Sequence, residues 1–511
     1  MRSIAHMRVS TLAAAIALAL SSCAVGPDFK RPEAPKSTGY TVEPLAAQPT
    51  QFQMGRDIPF AWWKTYNSPK LDALVDRALQ SNPNLAAAKA ALRQAHEYTV
   101  AQRGFFYPSV NLEFTPTRQK LAGNEGGNSP GVQGNGSTIS TYQNPTGPAP
   151  YNGPAYYNFY TAQLALSYTP DVFGANRRQV ESLQAEEDFQ RFEMEAAYIS
   201  LTSNVVATAI QAASLHSQIA ATKDFIEANQ KALKILQHQH DVGYAMGLDM
   251  AAQEQALAQA EAQLPPLQKQ WEQSRDLLRV LCGATPDTAL DDEFDLAALT
   301  QPADLPLSLP ATLVNQRPDV RAAEEQLHSA NAQVGVAHAA RFPQLTITGN
   351  MGGAASEIPQ MFKTGGPFWN IGGDFLQPIF DGGTLRHKEL AAREALTQAQ
   401  EQYRATVLNA LQNVADTLHA VQSDADGLAA AQKVERAAWK TLEITRKQQK
   451  AGYVNMLTLL TAEGSYQQAV VALLQAKTNS YGDAAAMFQA LGGGWWNRDG
   501  VAESSAVRSG S

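Results

Sequence analysis

Hydrophobic and polar positions along this chain follow two periods, and the two predict different elements. Four short stretches alternate with period two. Val110, Leu112 and Phe114 share one face, against Asn111, Glu113 and Thr115 on the other. Tyr160, Ala162, Leu164 and Leu166 oppose Thr161, Gln163, Ala165 and Ser167. Leu345 and Ile347 oppose Thr346 and Thr348, and Trp369, Ile371 and Phe375 oppose Asn370, Gly372 and Asp374. These patterns predict strands at about 108–117, 156–169, 343–353 and 367–379. One apolar and one polar face suits a barrel strand with lipid outside and water inside. It suits equally a half-buried strand of a soluble sheet.

Two much longer stretches repeat every seven residues. Between Asp171 and Asp241 there is no proline, and the one glycine, Gly174, stands at the start. Tyr198, Val205, Ala212, Ile219, Ile226 and Leu233 form one seam, and Ile199, Val206, Ala213 and Ala220 a second beside it. Two adjacent stripes predict a helix with neighbours on both sides, as in a cylinder of helices. At ~1.5 Å per residue it would reach ~105 Å. Val407, Val414, Val421 and Leu428 carry the same spacing through a second long helix, about 383–450. Return helices are expected at about 247–282 and 456–490.

The whole pattern is written twice. Pro83 and Pro108 are echoed by Pro318 and Pro343, Pro170 by Pro378, and Gly243-Tyr244 by Gly452-Tyr453. A repeat this long predicts two copies of one structural unit, at 70–290 and 305–492, joined by a linker at 291–304. Both long helices turn at Gly-Tyr-x-x-x-Leu: Gly243, Tyr244 and Leu248 in one copy, Gly452, Tyr453 and Leu457 in the other. Glycine there permits a left-handed helix end. These tips lie furthest from any membrane the strands would cross, where a partner would dock.

Between the strands, residues 118–155 are rich in Gly, Asn, Ser and Pro, and a shorter loop of about 354–366 occupies the second copy. Long polar loops flanked by Tyr156, Tyr157, Phe368 and Trp369 fit the external rim of a membrane barrel. Four strands cannot close a barrel, because lipid tolerates no unpaired edge and the smallest barrels have about eight. The chain is therefore expected to oligomerise, and a trimer gives twelve strands.

The address agrees. Arg2 and Arg8 precede the apolar run Thr11–Leu20, too short to span a bilayer, and Leu20-Ser21-Ser22-Cys23 then forms a lipobox. Residues 1–22 read as a lipoprotein signal peptide, with Cys23 as the acylated mature N-terminus, followed by an extended segment to residue 69. Ala24 supplies no inner-membrane retention signal. The second cysteine, Cys282, is then left without a disulfide partner and reads as a small buried residue. A net charge of −8 with no basic run argues against nucleic acid. His238 and His240, two apart on a helix, point to different sides and do not make a metal site. No catalytic constellation or nucleotide-binding loop is present, so neither an enzyme nor a cofactor is expected. Residues 493–511 read as a polar tail.

Five motifs resemble one family in order along nearly the whole chain. They are Cys23-Ala24-Val25-Gly26-Pro27-Asp28-Phe29-Lys30-Arg31-Pro32, Arg317-Pro318-Asp319-Val320-Arg321-Ala322-Ala323-Glu324, Arg341-Phe342-Pro343, Phe380-Asp381-Gly382-Gly383 and Leu491-Gly492-Gly493-Gly494-Trp495. They are similar to the NodT/OprM-type outer-membrane factors, relatives of TolC. The resemblance implies a mixed α and β membrane protein, a homotrimeric 12-stranded outer-membrane barrel continued by a periplasmic helical barrel. It implies the passive exit duct of a tripartite efflux system, with a periplasmic adaptor and an inner-membrane transporter of the resistance-nodulation-division class. In such relatives the gate follows the second tip as a leucine, then an aspartate four residues on. Those positions are Leu457 and Thr461 here, so the leucine matches and the aspartate is absent. Closure would lean on Leu457, with acidic help from Glu463 or Asp249. The alternatives are a seam role for Leu457, the duct of a type I protein secretion system, and a lipid-anchored periplasmic scaffold with no pore.

Overall fold

The computed structural model describes residues 25–35, 37, 39–41, 51–120, 131–132, 138–139, 156–291, 293–302 and 304–498. The signal segment 1–22, Cys23, most of the 118–155 loop and residues 499–511 lie outside the described residues. In chain order the principal elements are β1 (Gln51–Met54), α1 (Pro69–Ser81), α2 (Pro83–Arg103), β2 (Ser109–Lys120), β3 (Tyr156–Tyr168), α3 (Ala175–Asp241), α4 (Gly247–Leu281), β4 (Asp304–Leu307), α5 (Pro310–Gln316), α6 (Pro318–Ala339), β5 (Gln344–Ala355), β6 (Pro367–Leu376), α7 (Thr384–Lys450) and α8 (Met456–Ala490). A proline opens α1, α2, α5 and α6, where its missing N–H costs nothing. The long helices match in length: α3 and α7 have 67 residues each, α4 and α8 have 35 each.

The chain divides into two compact units. The first comprises residues 1–30, 95–187 and 326–400, and holds the four-stranded antiparallel sheet in the order β2-β3-β5-β6. The register aligns whole rows by chemistry. Leu112 pairs with Leu164, Leu164 with Met351, and Met351 with Trp369. One residue along, Asn111, Ala165, Asn350 and Asn370 form the next row. Directly paired residues share a face, so one face is apolar across all four strands and the other is polar.

The apolar face is uncovered: Leu112 is 79% exposed and Trp369 76%, with Val110, Phe114, Met351, Ile371 and Phe375 also exposed. A soluble sheet would bury this face. Each large apolar side chain left in water forgoes roughly 1.5–3 kcal/mol, so a face of them rivals the whole stability of a domain, about 5–15 kcal/mol. Among the described residues no helix is long and apolar enough to cross a membrane.

The corners from strand to long helix use one device twice. The Asp171 carboxylate accepts the backbone N–H groups of Asn176 and Arg177 at 2.9 and 2.8 Å. Asp381 accepts those of Gly383 and Leu385, both at 2.8 Å, and these bonds hold its carboxyl below the usual range. Each aspartate satisfies helix N–H groups that have no partner within the helix. Arg341-Phe342-Pro343 is likewise structural. Arg341 donates to Glu389 at 2.5 Å, and Phe342 stacks on Phe173 with centroids 4.9 Å apart.

The second unit comprises residues 31–94, 188–325 and 401–511. Its core joins Tyr198, Val205, Ala212 and Val206 of α3 to Val414, Leu418 and Val421 of α7, with Trp62 stacked on Phe488 at 5.1 Å. The heptad seam is buried through Ile219, and further along Ala220 is exposed. Cys282 is buried, its thiol donating to the Leu74 carbonyl at 3.6 Å.

Two segments carry more structure than the sequence pattern marks. Residues 51–54, expected in an extended segment, pair in parallel with 304–307, which straddle the expected end of the linker. Residues 493–498, expected in a polar tail, are packed: Trp495 donates to the Gln316 carbonyl at 2.7 Å, and Arg498 pairs with Glu195. Three consecutive left-handed glycines, Gly492 to Gly494, fold them back. A Cβ on Gly494 would meet the Ile58 carbonyl oxygen at 2.6 Å.

Candidate gate, docking tips and anchoring strap

Both hairpin tips are built the same way. Gly243 (φ +83°) donates to the His240 carbonyl at 2.9 Å, and Tyr244 to that of Gln239 at 2.7 Å. Gly452 (φ +77°) donates to Gln449 at 3.0 Å, and Tyr453 to Gln448 at 2.9 Å. Paired bonds of this kind define a Schellman motif, which needs the left-handed residue that glycine supplies. The tyrosine after each glycine closes the motif through its backbone, which leaves its ring free. Tyr244 is 87% exposed and Tyr453 83%; Leu248 is exposed as well. Asn455 then caps α8, its side chain accepting from Thr458 N–H at 3.0 Å.

The four expected gate residues separate. Leu457 is 61% exposed and stands outside the small core of Leu442, Leu459 and Ala462 beside it. Thr461, one turn on, is exposed on the same stripe, and its hydroxyl donates back to the Leu457 carbonyl at 2.9 Å. Glu463 points the other way: it is only 9% exposed and forms an ion pair with Arg446 of α7 at 3.1 Å. Asp249 is half-buried in the first turn of α4. Leu457 and Thr461 are thus brought together, while Glu463 is committed inside the protomer.

Arg446 was not singled out in the sequence. Its signal is faint, because pairing across a hairpin depends on helix rotation rather than spacing. Arg446 and Glu463 also line a cavity of about 300 Å³ with Phe225, Leu442, Tyr466 and Gln467. Among the described residues no group of three or more His, Cys, Asp or Glu side chains could hold a metal ion.

In the first unit the stretch after Cys23 is a strap. Arg178 donates to the carbonyls of Val25 and Gly26 at 3.3 and 3.4 Å, and to Asp28 Oδ1 at 2.7 Å. Asn331 donates to the Pro27 carbonyl at 2.9 Å, and Phe29 stacks on His328 at 4.3 Å. Gly26 (φ +106°) lies so close to α6 that a Cβ would meet Gly335 Cα at 2.5 Å. Val25 to Phe29 of the motif that carried the resemblance are therefore each held by a specific contact.

Comparison with known proteins follows this geometry. The family described as outer membrane efflux protein matches residues 74–284 and 309–493. The pyoverdine export outer membrane protein OpmQ of Pseudomonas aeruginosa is 28% identical over 449 residues, covering 86% of this chain and 89% of the relative. The toluene efflux pump outer membrane protein TtgF of Pseudomonas putida is 27% identical over 501 residues, covering 96% and 98%. The solved outer-membrane channel OprN aligns with a TM-score of 0.80 at 26% identity, over 93% of this chain and 100% of that one. Matched over residues 74–284 and 309–493 and sharing a solved channel's fold over nearly its whole length, the chain belongs to the outer membrane efflux protein family.

Proposed function

We propose that three copies of this chain close a 12-stranded barrel in the outer membrane, and that the barrel is the passive, gated exit of an efflux system. The observation that carries this is the sheet: an exposed apolar face running across β2, β3, β5 and β6, a polar face behind it, and two unpaired edges. Lipid accepts such a face but not such edges, so neighbouring copies must cover them. The protein makes and breaks no bond; a periplasmic adaptor docks at the Gly243-Tyr244 and Gly452-Tyr453 tips. An inner-membrane transporter of the resistance-nodulation-division class supplies the energy. The cargo is small organic molecules, the kind named for OpmQ and TtgF. Cys23 carries lipid and adds a second hold on the membrane.

At the periplasmic end three Leu457 side chains form the closing ring. Their exposure in the protomer supports this, since a seam residue would be covered. With Glu463 neutralised by Arg446 and threonine at position 461, the ring carries no repelling carboxylates of its own.

Single-channel recording in planar bilayers tests the proposal. The parent should conduct rarely, and Leu457→Ala should raise open probability or conductance with trimer thermal stability unchanged. A Leu457→Ala protein that loses stability but conducts like the parent would return Leu457 to packing. A trimer that never conducts, in either form, would favour a scaffold.

A further inference from the structure

A cavity of about 310 Å³ lies in the first unit, where β3 passes into α3 and α6 passes into β5. Its apolar wall is made by Phe105, Val172, Phe173, Val336, Ala339 and Leu345. The polar groups on its wall are largely engaged with one another. Gln102 donates to Asn176 Oδ1 at 2.6 Å, and Asp171 is taken up by the N–H groups that open α3. Asn176 Nδ2 is buried there without a hydrogen-bond partner, and most of the remaining wall is hydrocarbon. It sits at the strand ends away from the long polar loop, where the inner leaflet of the membrane would meet the sheet.

The strap leads to the same place. The Val25 N–H donates to the carbonyl of Phe173 at 3.2 Å, and Phe173 is part of the cavity wall. Cys23 is two residues before Val25, so at ~3.5 Å per residue its Cα lies within ~7 Å of the Val25 Cα. Arg178, Asn331, His328 and the Gly26–Gly335 contact fix the strap from Val25 to Phe29.

We propose that this cavity receives an acyl chain carried by Cys23 of the same chain. The inference rests on the reading that Cys23 is lipidated. A single acyl chain is a marginal membrane anchor on its own. Seated between helix and sheet, it would instead act as packing, with the strap as its guide. The occupant is identified by chemistry and reach. The wall is mainly apolar, and Val25, two residues after the modified cysteine in sequence, is hydrogen-bonded to it.

The test uses the full-length protein in its own membranes, labelled metabolically with palmitate bearing a mid-chain diazirine, then irradiated. Label incorporation is measured first, on the purified trimer. Adducts should map to peptides containing Phe105, Phe173 or Leu345. They should be lost, with incorporation unchanged, in Leu345→Trp, which fills the cavity, and in Gly26→Leu, which lifts the strap. Incorporated label that reacts only with phospholipid or with the outer faces of the strands would overturn the cavity assignment and leave acylation standing. Adducts that persist undiminished in both variants would overturn it too. A parent that takes up no label would fail at the earlier step, the lipidation of Cys23, and the inference would fall with it.

Discussion

At the scale of single residues, glycine does two different jobs in this chain. Gly452 is left-handed with open space around its missing side chain, whereas Gly494 is left-handed and pressed against the Ile58 and Pro59 carbonyls. Gly452→Ala should therefore cost only the left-handed backbone penalty, roughly 1–2 kcal/mol. Gly494→Ala must add a displaced backbone and should lower the thermal midpoint of the purified protein distinctly more. Equal midpoints for the two variants would contradict the packing of the C-terminal segment. The left-handed tip glycines were legible beforehand because the Gly-Tyr pair occurs twice in register. The folding-back of Gly492 to Gly494 was not, since a run of glycines followed by polar residues carries the same signature as a loose tail. The Arg446–Glu463 pair was hidden for another reason: which carboxylate turns inward depends on helix phase, and the sequence near a gate motif draws attention to charge without saying where it points.

At the scale of elements, α7 and α8 bring two carboxyl groups together. Asp424 is pushed up to about 7, first by burial and then by its hydrogen bond to Asp483 and that neighbour's charge. An aspartate in the unfolded chain titrates near 3.9. The folded state thus holds an extra proton between about pH 4 and 7, and stability falls as pH rises through that window. Asp483→Asn should leave stability at pH 4 close to that of the parent and raise it above pH 7, flattening the curve between. A parent whose melting point does not fall from pH 5 to 8, or a variant with the same slope, would remove the pair from this role. The long helices themselves were legible because heptads over so many residues admit no other element. The β1–β4 ladder was not: four-residue strands, one containing Pro306, are too short to establish a period.

At the scale of the whole molecule, β2 and β6 have no strand partner on their outer edges among the described residues, so the proposed barrel requires assembly. Native mass spectrometry from mild detergent should give three copies. A stable, monodisperse monomer under those conditions would sink the barrel. Alternation along each strand made the two faces readable, but only the register showed that the apolar faces coincide across all four. The alternation by itself therefore does not separate a membrane barrel from a soluble sheet. The matched lengths of the helices, 67 and 67 residues, then 35 and 35, have an evolutionary meaning. Each copy sets a ruler for the other. Deleting one residue from α3 rotates everything beyond it by about 100° relative to its neighbours, and deleting a heptad from α3 alone leaves one tip stranded short of its counterpart. A length change in one long helix is therefore expected to need a matching change, in whole heptads, in the other.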